Sequence, residues 1–77
     1  LGRYAEAAEA YLHALKLDPS AVICMHNLGM LYINHLDRRD EGLSWLKMTL
    51  KYDQSRWFKL PSELRNAVDA AKYMETY

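Results

Sequence analysis

A chain of 77 residues holds one domain at most, and a domain of this size buries only about 60% of the surface its unfolded chain exposes, which leaves its stability marginal. Apolar residues make up 51% and charged residues 26%, a balance that excludes disordered and fibrous classes. Ten Lys and Arg offset ten Asp and Glu, so there is no basic field to drive phosphate-backbone binding, and no nucleic-acid partner is expected.

In chain order, the spacing is helical. Tyr4, Ala7, Ala8, Tyr11, Ala14 and Leu15 recur at three- and four-residue steps, with Glu6, Glu9, His13 and Lys16 on the other face, which predicts a first helix over about Arg3 to Leu17. Asp18, Pro19 and Ser20 stop it, because Pro cannot continue the hydrogen-bond ladder and Ser can cap the next helix. A second helix over about Ala21 to His35 buries Ala21, Cys24, Met25, Leu28, Leu31 and Tyr32. Its opposite side is also partly apolar, so it is either sandwiched between neighbours or exposes an apolar strip.

Leu36 to Arg39 form a turn, with Asp37 or Asp40 placed to accept from the first amides of the next helix. That third helix, about Asp40 to Tyr52, packs Leu43, Leu46 and Leu50, flanks them with Trp45 and Met48, and is kept thin at Gly42 and Thr49. Asp53 to Lys59 read as a loop whose Trp57 and Phe58 fold back on the core. A fourth helix begins near Pro61 or Ser62 and aligns Leu64, Val68, Ala71 and Met74. No period-two alternation predicts a strand.

The chain also resembles itself. Leu15, Lys16, Asp18 and Ser20 recur as Leu50, Lys51, Asp53 and Ser55 at an offset of 35, and Ala7, Tyr11 and Ala14 fall on Gly42, Leu46 and Thr49. A repeating helical pair of about 34 residues is the length signature of tetratricopeptide arrays. The residues extend the likeness: Leu1-Gly2-Arg3-Tyr4-Ala5-Glu6-Ala7, then Tyr11, Ala14, Leu15, Leu17, Asp18 and Pro19, resembles the second helix of a tetratricopeptide repeat, and Leu28-Gly29 with Tyr32 resembles the next first helix.

The resemblance runs over roughly residues 1 to 55. It implies an all-α chain of about four helices in antiparallel helix-turn-helix repeats, a fragment of a right-handed α-solenoid. Residues 1–19 would be the second helix of repeat one, 20–55 repeat two and 60–77 a capping helix. Small residues at Ala7, Ala14 and Gly29 would let helix backbones approach, and Tyr11, Leu28 and Tyr32 would fill the gaps. Gly42 and Thr49 depart from the expected alanines and Gln54 from the expected proline, as a degenerate terminal repeat would. Arg65, at the position equivalent to Gly29, would keep a further helix away, and the preceding helix is missing, so the chain reads as the C-terminal end of a longer array or as a fragment cut from one.

A protein- or peptide-binding scaffold is implied by the resemblance, because first helices of such repeats line a concave groove. Here that helix is the second, and its groove-facing residues are expected to be Ile23, His26, Asn27, Met30, Ile33 and Asn34. Asn27 matches the asparagine with which many family members hold a peptide backbone or chain end, since an amide both donates and accepts. The clamp for an acidic chain end also needs Lys or Arg on neighbouring first helices, where helix four offers Glu63, Asn66 and Ala70, so that ligand is disfavoured. Ile23, Met30 and Ile33 suggest a stripe for a partner helix, or a surface covered by a neighbouring repeat or by helix four. The alternative function is structural: self-association or docking within a larger protein through Met30, Ile33, Trp45 and Trp57, with an enzyme elsewhere in the chain as a regulated target.

No catalytic, cofactor or metal chemistry is expected. His13, His26 and His35 with a single Cys24 make no tetrahedral set, and Gly2, Gly29 and Gly42 form no phosphate-cradling loop. Glu6 and Glu9 share a solvated face, and Ser20, Ser44, Ser55 and Ser62 include no nucleophile elbow. A lone cysteine excludes an intramolecular disulfide and points to a reducing, cytoplasmic setting. No apolar run approaches the roughly 18 residues that span a bilayer, so membrane insertion is not expected.

Overall fold

A computed structural model of the chain describes residues 3–68, and every regular element among them is helical. The expected Leu1 and Gly2 of the first motif, and Ala70, Ala71 and Met74 of the fourth helix, lie outside the described residues. Helix α1 covers Arg3–Leu17, α2 Val22–Asn34 and α3 Arg39–Tyr52; a 3-10 helix comes next at Gln54–Lys59, then α4 at Ser62–Ala67. Helix α2 packs against α1 on one side and α3 on the other.

Two apolar clusters hold the chain together. Ala8 and Leu15 of α1 meet Met25, Leu28 and Tyr32 of α2, with Trp45 of α3 packed against them. Leu46 and Leu50 of α3 meet Leu60, Leu64 and Val68, with Met30 and Ile33 of α2, Leu43 and Trp57 packed against that group. Helix α2 is therefore sandwiched, one stripe in each cluster, and of the two alternatives left by its two-sided apolar pattern the covered one holds for Met30 and Ile33. Leu28 and Leu50 are wholly buried, each worth roughly 1.5–3 kcal/mol of burial.

The backbones of α2 and α3 approach closely at two glycines. A methyl group on Gly42 would lie 2.6 Å from the Gly29 carbonyl oxygen and 2.6 Å from Ile33 Cγ1, and one on Gly29 would lie 2.9 Å from the Gly42 carbonyl oxygen. Nothing larger than hydrogen fits without moving a backbone. Thr49, also buried, satisfies its hydroxyl by donating to the Trp45 carbonyl at 2.9 Å.

The offset of 35 has a counterpart in the turns. After α1, the Asp18 amide donates to Ala14 at 2.9 Å, the Ser20 amide and hydroxyl both donate to Asp18 Oδ1, and the Ala21 amide donates to the Asp18 carbonyl at 3.1 Å. After α3, Asp53 donates to Thr49 at 2.9 Å, Ser55 bonds Asp53 Oδ1 through the same two groups, and Arg56 donates to Asp53 at 3.1 Å. Ser20 thus closes a turn on Asp18, and the expectation that it caps α2 is corrected: Ala21 is the N-cap and no side chain caps it. Neither Asp37 nor Asp40 caps α3, whose N-cap is Arg38; Asp37 instead takes the left-handed turn conformation, φ 53°, which Asp tolerates better than most residues.

The stretch from Asp53 to Lys59 is where the reading as a loop fails. Asp53 caps a 3-10 helix there by accepting from the Ser55 amide. Trp57 folds back on the core as expected, whereas Phe58 stays 64% exposed and Leu60, at the end of the segment, is buried in its place. Arg65 reaches back from α4, its guanidinium 4.6 Å from the centre of the Trp57 ring and its Nη2 donating to the Phe58 carbonyl at 3.1 Å. Arg39 adds a second tie to α4 through Glu63 at 3.8 Å.

Candidate functional site

The six residues expected to face a groove are dealt to three environments. Asn27, Met30 and Asn34, with Leu31 and His35, form the α2 wall of an open cleft of about 420 Å³ whose α1 wall is Tyr4, Ala7 and Tyr11. One α2 stripe supplies this wall because residues three and four apart share a helix face, and Ala7 keeps the floor low. Tyr4 stacks on the His35 ring, centroids 3.9 Å apart and planes 3° from parallel, and closes one end.

Ile33 belongs to the core instead, packed on the second cluster and against Gly42, and Met30 is shared between that cluster and the cleft. Ile23, at the start of α2, is 60% exposed. His26 is half-buried one turn further on, and its Nδ1 is buried with no hydrogen-bond partner. Burial, then the charges of Arg56 and Lys59, hold its pKa below the ordinary imidazole value. Asp53 is also held below the usual carboxylate range, first by the hydroxyl of Ser55.

A clamp built on first helices would draw its cations from α4, where Glu63 and Asn66 stand and Arg65 is turned onto the Trp57 ring; the charges that act on His26 are Arg56 and Lys59 of the 3-10 helix. A loop carries no face, so Arg56 and Lys59 could not be placed against His26 until the segment was known to be helical.

Four of the six large exposed apolar side chains follow the repeat. Among the described residues Tyr4, Leu17, Ile23, Met48, Tyr52 and Phe58 are the large exposed ones. Leu17 and Tyr52 are 35 residues apart, as are Ile23 and Phe58, so that Leu17 and Ile23 flank the Asp18–Ser20 turn as Tyr52 and Phe58 flank the Asp53–Ser55 turn. Only Ile23 is expected at a binding surface from helical spacing; the offset that aligns Asp18 with Asp53 also finds Leu17, Tyr52 and Phe58. A larger hollow, about 650 Å³, lies between α1 and Trp45 and is rimmed by Glu9, His13 and Lys16; none of the six residues reaches it.

Among the described residues no three His, Cys, Asp or Glu side chains converge as metal ligands, and no helix is long and apolar enough to cross a membrane. No protein-family model, no curated protein and no solved structure matches the chain.

Proposed function

We propose that the chain is a protein-interaction scaffold of tetratricopeptide character, which receives a peptide or partner helix along α2 in a cytoplasmic setting and has no catalytic role. The observation that carries this reading is the cleft between α1 and α2: it is apolar at Tyr11, Met30 and Leu31, and it presents the amides of Asn27 and Asn34, which can pair with a partner's backbone. Exposed Ile23 extends the same helix surface toward the first turn. The test compares capture of a partner by the wild type with capture by Ile23→Glu and Asn27→Ala. Both substitutions are expected to abolish capture with helical circular dichroism unchanged, and capture that survives both would overturn the reading.

The structural alternative, self-association or docking within a larger assembly, finds its support in the same cleft, since an apolar trough floored by Ala7 also suits a helix from a neighbouring repeat. Its four named residues do not supply a face: Met30, Ile33 and Trp57 pack in one cluster and Trp45 in the other. Sedimentation over a dilution series separates the two readings, because the alternative requires a dimer or unfolding on dilution.

A further inference from the structure

We infer that the cleft between α1 and α2 takes a helix of α2's own pattern: an uncharged apolar helix with a glycine where the two backbones cross. The inference rests on the scaffold reading of the same cleft and names the kind of partner it receives.

The chain carries one filled and one open copy of the same face. At the offset of 35, Ala7, Tyr11 and Ala14 of α1 correspond to Gly42, Leu46 and Thr49 of α3. On α3 all three positions are buried, and α2 lies across the first two: a methyl group on Gly29 would stand 3.0 Å from the Leu46 side chain, and one on Gly42 would meet the Gly29 carbonyl oxygen. On α1 the three are only partly buried, and Ala7 and Tyr11 line the cleft. Met30 joins the two copies, since it packs in the second cluster on the α3 side and forms part of the cleft wall on the α1 side.

The occupant of the filled copy specifies that of the open one. Residues 22–34 contain no Asp, Glu, Lys or Arg, and none lines the cleft, so a helix bearing ions on its buried face would leave them unpaired there at a cost. A glycine in register with Gly29 lets the backbones approach over Tyr11. Ala7 sharpens the pattern further. It carries the methyl that Gly42 lacks, and on α3 that methyl would lie 2.6 Å from Ile33 Cγ1, so the occupant has a side chain smaller than isoleucine at the position of Ile33. A helix keeps its backbone bonds to itself; Asn27 and Asn34 therefore pair with polar side chains on its flank.

The whole chain, labelled with ¹⁵N, is titrated with an acetylated and amidated peptide of residues 21–35 that carries Ile33→Ala. The side-chain amide signals of Asn27 and Asn34 should shift saturably while the Trp45 and Trp57 indole signals, one in each cluster, stay put. Gly29→Leu in the peptide, and separately Ala7→Leu in the chain, should each weaken binding several-fold, the latter with unchanged circular dichroism. Binding as tight by a peptide that also carries Leu28→Pro would mean that the cleft takes an extended chain, and overturns the helix. Movement of both indoles would mean that the peptide replaces α2 within the fold, and overturns it too, as does a dimer of the chain that the peptide fails to disperse. Cleft signals that ignore the peptide also overturn it, and the scaffold reading then stands or falls separately, by capture of a partner with Asn27→Ala.

Discussion

Gly42 shows how much a single side chain decides here. Alanine would gain about 1 kcal/mol of helix propensity, yet its methyl would meet a carbonyl oxygen and Ile33 Cγ1, both at 2.6 Å. The clash wins because one obstacle is backbone, so Gly42→Ala is expected to lose roughly 1–3 kcal/mol net, read from the urea midpoint; an unchanged or raised midpoint would contradict the crossing. The sequence marks Gly29 as a close-approach point but Gly42 as a departure from alanine, since only the distance between helices shows that two glycines face each other. His26 carries the second prediction at this scale. Its folded pKa lies below the ordinary 6.5, so the unfolded chain takes the proton first as pH falls. Its contribution to stability is full above 6.5 and declines below it, toward the depressed value. His26→Gln should flatten that decline when urea midpoints are compared on either side of 6.5, and a variant with the wild-type slope would show that His26 does not supply it.

At the scale of elements, the periodicity locates α1 at the observed residues and α2 and α3 to within a residue or so at each end, because each carries three or four turns of spaced apolar side chains. The 3-10 helix escapes for the same physical reason in reverse. Its six residues contain no helical stripe, and it is held by contacts that helical spacing does not encode: Asp53 at its start, Trp57 on the core, and Arg65 from α4. Leu60→Ala removes its anchor in the second cluster, where Leu60 is 3% exposed, and should cost about 2–5 kcal/mol in chemical denaturation. Arg65→Ala should cost about 0.5–2 kcal/mol and move Trp57 fluorescence to longer wavelength as the ring gains water. A wild-type emission maximum in that variant would mean that Arg65 does not pin the segment.

For the whole molecule, the all-helical class is legible in the sequence, and the offset of 35 reappears as two turns with the same hydrogen bonds. The disposition of the candidate site is less so. Helical spacing groups Ile23, His26, Asn27, Met30, Ile33 and Asn34 on one side of α2, but whether such a side is open depends on where α4 lands, and the Leu64–Val68 cluster takes Ile33 and part of Met30. What remains open is Ile23 at one end and the Asn27–Asn34 wall of the cleft along the helix. Whether this surface of α2 receives a protein partner is decided by capture with Ile23→Glu beside Met48→Glu, an equally drastic change at an exposed apolar residue of α3. Ile23→Glu is expected to lose the partner while Met48→Glu keeps it, both with wild-type circular dichroism; equal capture by the two variants would refute a binding surface on α2.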